Sequence, residues 1–245
     1  MELVAETVAW LTEGANWTGP GNIPTRLGEH VGLSGISLLL ALAIAFPAGV
    51  LIGHTRRAAN IAVNVANLAR AVPSLALIGL VVPLTAALDP ELGFKVYPTV
   101  IAMVVLGIPP ILVNTYTGVS DVDRELVESA RGMGMTGGQV LTRVELPLAL
   151  PVLLGGVRSA AVQIIATATL GAVFGGGGLG RFLVEGIAQN DAGKIFGGVV
   201  LVAALALAAE AVFAVAQRGL TSPGLRVERQ AWDPRLAPAA RPPGA

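Results

Sequence analysis

The sequence predicts an all-α membrane protein with five spanning helices, the N-terminus outside the cell and the C-terminus in the cytoplasm. Composition, spacing and charge bias carry this prediction. Of the 245 residues, 53% are hydrophobic and only 13% are charged, against about 25% charged in a soluble domain; mean hydropathy is +0.71. The charges are spaced so that 31–53, 96–120 and 159–180 carry none, and about 20 apolar residues suffice to cross a bilayer. A soluble helix needs a polar face, and ISLLLALAIAFPAGVLI over 36–52 has none. With the N-terminus outside, the inner segments 54–58, 119–146 and 218–245 hold ten Lys/Arg residues and the outer segments four, Arg26, Lys95, Arg181 and Lys194. Basic residues concentrate on the cytoplasmic side of membrane proteins.

The same composition excludes several functions. Lys+Arg 16 balances Asp+Glu 16, so no bulk basic field draws nucleic acid. Cys is 0 and His is 2, at His30 and His54, which removes thiolate chemistry, disulfides and a His-built metal site. Aromatics are 4%, too few for this chain to build an aromatic cage by itself. No nucleophile–base pair or metal constellation marks an enzyme.

From the N-terminus, residues 1–26 read as an outer segment. MELVAETVAW lacks the basic start and small-residue cleavage site of a secretory signal. Leu3, Val4, Val8 and Leu11 with Trp10 suggest an amphipathic helix lying at the outer interface, and NWTGPGNIP over 16–24 is turn-rich. The membrane-embedded body covers 27–220, with spans expected at 31–53, 59–87, 97–118, 147–174 and 195–217. Arg70 interrupts the second span and Glu210 the fifth. Pro109-Pro110 should kink the third. Gly175 to Gly180 lacks the Gly-Lys-Ser/Thr ending of a P-loop and reads as an outer turn, followed by an external segment, 181–194. The tail, 221–245, is Pro/Ala-rich and reads as disordered.

The most informative stretch is the cytoplasmic loop 121–146. Asp121 and Asp123 suit a helix N-cap. Arg124, Glu128 and Arg131 fall at helical spacing and can pair on one face, while Leu126, Val127, Ala130 and Met133 form a small apolar face. Gly132, Gly134, Gly137 and Gly138 break the helix, and Pro147 suits the start of the next one. An ordinary connector needs no apolar stripe with small residues at its centre; a segment docked in a partner's groove does.

This loop resembles the EAA signature of permease subunits of ATP-binding-cassette importers: Glu128-Ser129-Ala130, three residues, Gly134, nine residues, Val144, one residue, Leu146-Pro147. Ser129 stands for the first Ala and Val144 for Ile. The resemblance implies a type I, MetI-like importer permease in a bacterial plasma membrane. In that family the loop is a coupling helix seated in a cleft of the cytoplasmic ATPase. It implies that Ala130 packs closely against the ATPase, that Gly134 allows a bend, and that Glu128 holds the loop's shape or reaches a basic partner group. Arg70-Ala-Val-Pro-Ser-Leu-Ala-Leu77, Thr169-Leu-Gly-Ala172 and the following Gly175-Gly-Gly-Gly-Leu-Gly180 are similar to segments of the osmoprotectant branch, which handles glycine betaine, proline betaine, carnitine or choline. The implied partners are ATPase subunits that bind the ATP and magnesium, a second permease subunit, identical or paralogous, and a separate extracytoplasmic substrate-binding protein. This chain would itself hold no cofactor. A permease of the same architecture for an amino acid, methionine or a thiol-betaine remains open, and so does a stand-alone secondary transporter.

Charges at membrane depth are usually paired or functional. At 1.5 Å per residue, Arg158 lies about 16 Å and Glu210 about 12 Å from the inner side. The two are expected to interact, as a lock between the fourth and fifth helices or as part of the substrate's path. Arg70, about 20 Å deep, either satisfies carbonyls freed by Pro73 or gates a cationic substrate. Asn64, Asn67, Asn114, Gln163, Thr167 and Thr169 are candidates for a polar seam in the bundle interior, a role that interhelical hydrogen bonds also explain.

Overall fold

The computed structural model describes residues 1–57 and 59–221, apart from the side chains of residues 61, 65 and 70. Every regular element among them is helical. α1 (Glu2–Thr12) and α2 (Ala15–Thr18) form the outer segment. Trp10 of α1 is buried among Ile23, Leu179 and Phe182, with its ring edge-on to Phe182 at 5.1 Å between centroids. Leu3, Val4 and Val8 stay exposed, an apolar face suited to the membrane surface.

α3 (Ile23–Thr55) starts eight residues before the expected span. The Asn22 side chain accepts the Thr25 N–H at 2.8 Å, and Pro24 occupies the first turn, where its missing N–H costs nothing. The expected second span, 59–87, is two helices in the structure, α4 (Ala59–Ala71) and α5 (Ser74–Ala86), bent by 90° at the break. Pro73 explains the break: it has no N–H for the ladder and drives Val72 out of helical geometry. The run of apolar residues gave its length but not this turn. The Arg70 side chain and residues 222–245 of the expected tail lie outside the described residues.

α6 (Leu92–Lys95) leads into α7 (Tyr97–Ser120), which continues through Pro109 and Pro110. α7 is the centre of the bundle and packs on α3, α4 and α5 and on the fourth span. The cytoplasmic loop folds as α8 (Arg124–Gly132) and α9 (Gly137–Val140). A π-turn over Leu141–Glu145 then runs without interruption into α10 (Leu146–Gly171). The helix therefore does not begin at Pro147. Pro147 cannot donate to the carbonyl four residues back, and the Leu146 N–H reaches Leu141 O instead, five residues back.

At the outer side, the 3₁₀ turn Ala172–Phe174 and the glycine run lead to α11 (Gly180–Gln189). α12 (Ala192–Leu220) is capped by the Asp191 side chain, which accepts the Lys194 N–H at 2.9 Å. It lies at the edge of the bundle, against α10, α11 and α1. Four helices are long and apolar enough to cross a membrane, five with the bent α4–α5 pair.

Candidate functional site

The loop between α7 and α10 has a core of its own. Val122, Val127, Ala130 and Val140 are buried together, with Met135, Val144 and Leu148 against them. The Asp123 side chain accepts the Glu125 N–H at 2.8 Å and starts α8. Gly134 closes it with φ +85°, a conformation that favours glycine. The Thr136–Gln139 capping box then opens α9. The four residues expected to form one apolar face are thus divided. Val127 and Ala130 turn inward, whereas Leu126 and Met133, the latter 74% exposed, face outward with Ser129 between them. Ala130, expected to touch the ATPase, is already covered by its own loop at 2% exposure. Positions 126, 129 and 133 lie on one side of a helix, so the outward face consists of Leu126, Ser129 and Met133. Arg124, Glu128 and Arg131 are exposed, and no ion pair among the described residues joins them. Val144 packs on the loop core, Leu146 on the Val119–Ala149–Leu153 cluster, and Pro147 is exposed.

Behind α8 lies a cavity of about 290 Å³ lined by His54, Arg56, Arg124, Glu128, Arg131 and Glu145, with Thr55 and Val127. His54, in the last turn of α3, donates from Nδ1 to Glu145 Oε2 at 2.5 Å. Glu145 is 4% exposed and ends the π-turn. Arg56 Nη2 donates to Val122 O at 3.3 Å. The inner end of α3 therefore holds both ends of the loop. Sequence reasoning missed this pair, whose members stand 91 residues apart; the single signal was one of only two histidines at the inner end of a span.

In the membrane, Arg158 Nε and Glu210 Oε1 meet at 3.2 Å, joining α10 to α12, with 34% and 43% of the side chains exposed on the single chain. The other candidates do not gather with them. Asn114 donates to Pro110 O at 2.7 Å within its own helix, and Thr169 bonds Ala166 O. Thr167 is buried, Gln163 half-buried, and Asn64 and Asn67 are exposed.

At the outer side, Glu29 Oε2 accepts the Gly178 N–H at 2.8 Å, and His30 Nδ1 accepts the Leu179 N–H at 3.2 Å. His30 must then carry its proton on Nε2, which donates to Ile165 O at 3.0 Å. Gly178 has φ +86°, and a Cβ there would lie 3.0 Å from His30 Nδ1. Beyond it, Glu185 pairs with Arg181 at 3.0 Å and Lys194 at 2.9 Å. Burial pushes the Glu185 carboxyl up, but the hydrogen bond and charge of Lys194, with Arg181, outweigh it and hold the carboxyl below its ordinary value.

Residues 45–227 match the family of binding-protein-dependent transport system inner membrane components. The chain belongs to this family. The match takes in the inner half of α3, the cytoplasmic loop and every later span, and it leaves out α1, α2 and the Glu29–His30 end of α3. Among relatives within the family's reach, the chain is 35% identical to the glycine betaine/carnitine/choline transport system permease protein of Bacillus subtilis (strain 168) over 209 residues, 85% of this chain and 93% of that one. It is 34% identical to the osmoprotectant import permease protein of Salmonella typhimurium over 90% of this chain and 100% of that one. A chain of the MetNI methionine ABC transporter, in an inward-facing conformation, shares the fold with a TM-score of 0.72 at 21% identity, covering 82% of this chain and 96% of that one. As a component of a binding-protein-dependent transport system, the chain is a multi-pass protein of the bacterial plasma membrane.

Proposed function

We propose that this chain is the permease subunit of an ATP-driven importer of osmoprotectants, quaternary amines of the glycine betaine, choline and carnitine class. The relatives' names motivate the substrate class. The observation that carries the ATP coupling is the outward face of α8, where Leu126 and Met133 stand exposed on a loop that already has its own core. Exposed apolar side chains on a preformed cytoplasmic helix fit a groove in a partner. That partner is an ATPase, which binds ATP and magnesium; this chain holds no cofactor and hydrolyses nothing. Glu128 and Ser129 border the docking face, Gly134 sets the angle of the loop, and Ala130, Val144, Leu146 and Pro147 hold its shape against the bundle.

Two permease subunits, identical or paralogous, enclose the path. The half-exposed Arg158–Glu210 pair supports this, because lipid is a poor cover for charge at that depth. A separate binding protein on the outer side selects the solute, since Trp10 is buried in packing and Trp17 bonds Leu11 O. The path then alternates between outward and inward access.

The test is ATPase activity of the complex reconstituted with its ATPase and binding protein. Binding protein loaded with glycine betaine should stimulate hydrolysis. Met133→Asp should abolish both stimulation and co-purification of the ATPase while the bundle stays folded. Stimulation by methionine-loaded or amino-acid-loaded binding protein in place of glycine betaine would move the substrate class and leave the coupling intact. A Met133→Asp complex that assembles and couples like the parent would refute the docking face.

A further inference from the structure

Hydrogen bonds tie both ends of α3 to loops far away in the sequence. At the inner end, His54 holds Glu145 at 2.5 Å and Arg56 holds the Val122 carbonyl at 3.3 Å. Gly137 of α9 lies against the same histidine, its Cβ position 3.6 Å from Nε2. At the outer end, adjacent residues Glu29 and His30 accept the N–H groups of Gly178 and Leu179, and His30 also bonds Ile165 O. Between His30 and His54 α3 is one helix. Those 24 residues span about 36 Å at 1.5 Å each.

We propose that α3 is a transmission rod, with His54–Glu145 and Glu29–Gly178 as its two anchors, linking the cytoplasmic coupling loop to the outer segment 175–189. The inference rests on the importer reading and adds to it the residues that position one side for the other.

Three observations argue for a rod rather than for simple packing. First, each anchor joins α3 to backbone that departs from α-helical geometry, the π-turn on one side and the glycine run on the other. Such pieces can shift where packed helices cannot, and π-turns recur at functional sites. Second, each end of α3 holds a sheltered bond: Glu145 is 4% exposed, and His30, which accepts the Leu179 N–H beside the half-exposed Glu29, is 1% exposed, so displacement of either loop must move α3 or break a bond that water does not readily replace. Third, the outer loop is tied to the face a binding protein reaches. Leu179 is buried with Trp10 and Phe182, and α11 follows directly. Pro47 removes one hydrogen bond from the helix without ending it, and α3 is braced on α7 just below, where Gly49 and Gly53 face Thr115 and Val119. Coupling between two sites is reciprocal. A loaded binding protein that shifts the outer loop would thereby bias the coupling loop, and nucleotide in the ATPase would bias the outer loop.

The experiment is a cycle between the two ends in the reconstituted complex, read as fold-stimulation of ATPase by binding protein loaded with glycine betaine. The inner anchor is removed as a pair, His54→Leu with Glu145→Leu, because removing both partners leaves no orphaned charge and is tolerated far better than removing one. The outer anchor is removed by Glu29→Ala. Each alteration should cut stimulation by about five-fold or more, the lower end of usual coupling strengths. Combined, they should cut it no further than the larger single effect, although sites this far apart ordinarily act independently. His54→Gln, which keeps an N–H for Glu145, should recover most of the stimulation lost by the apolar pair. Should the apolar pair fail to assemble, the same cycle with His54→Gln and Glu29→Gln gives smaller losses under the same rule. Parent-like stimulation in the single-end variants, or losses that multiply, overturns the rod and leaves the importer reading standing. A parent complex that loaded binding protein does not stimulate overturns that reading and the rod with it.

Discussion

Arg158 and Glu210 show how a charge inside an apolar run is read. Each is costly alone at membrane depth, and their similar depths along the two spans predict the pairing; the structure brings them to 3.2 Å. Glu210→Gln or Arg158→Met should destabilise the assembled permease by an amount between the about 0.5 kcal/mol of an exposed pair and the about 4 kcal/mol of a buried one. Replacing both by Met should restore much of the loss, as followed by thermal unfolding in lipid nanodiscs. Glu185 supplies a pH-dependent counterpart outside the membrane. Its folded carboxyl titrates below the ordinary 4.5 because Lys194 and Arg181 outweigh burial. The proton then binds the unfolded chain more tightly, so the stabilisation is complete above about pH 4.5 and is lost as pH falls through the lower, folded value. The difference in melting temperature between parent and Glu185→Gln should shrink to nothing on acidification. A gap that stays constant with pH would show that the carboxylate's charge is not what matters. Neither Glu185 with Lys194, nor Glu29 and His30 with Gly178 and Leu179, nor His54 with Glu145 was legible in the sequence. The partners of Glu29 and His30 are 149 positions away, and spacing along a chain reports only neighbours within one element.

At the scale of elements, spans and loop were largely legible because a bilayer imposes length and apolarity together. Direction was not. The run 59–87 is equally apolar whether straight or folded, and its 90° turn at Pro73 depends on how α4 and α5 pack on α7. The loop shows a similar limit. Helical spacing grouped Leu126, Val127, Ala130 and Met133, but which of them face in is decided by Val122 and Val140 closing over the helix from outside it. Contacts between helices decide likewise which glycines matter. A Cβ on Gly156 would stand 2.6 Å from Asn114 Cβ and 2.7 Å from Pro110 O, at the crossing of α10 with α7; Gly155 has open space. Gly156→Ala should cost about 1–3 kcal/mol through overpacking, whereas Gly155→Ala should be neutral or slightly stabilising, since Ala favours helix by about 1 kcal/mol. Melting temperatures of the two variants, one residue apart, test whether this crossing is as tight as the structure gives it.

For the whole molecule, what matters is which end of each helix faces the cell interior. Every functional assignment depends on it. If α8 were outside, no cytoplasmic ATPase would reach Leu126 and Met133, and the anchors of α3 would exchange roles. The bias of ten basic residues to four places the loop inside. The structure adds an independent constraint: α1 packs through Trp10 on Phe182 of α11, so residues 1–18 and 175–189 must share a side. The α8 loop, one α7 or α10 length away, must lie on the other. The absence of cysteine makes this directly measurable without background. Single cysteines at Glu13, Ile187 and Met133, all exposed side chains, should react differently with a membrane-impermeant maleimide applied to intact spheroplasts that express the permease without its ATPase. Glu13→Cys and Ile187→Cys should label at once, and Met133→Cys only after lysis. Labelling of Met133→Cys in intact cells would reverse the orientation and remove the coupling to a cytoplasmic ATPase. Labelling of Glu13→Cys but not Ile187→Cys would instead mean that the Trp10–Phe182 contact is absent in the membrane, separating the outer segment from the loop that α3 is proposed to move.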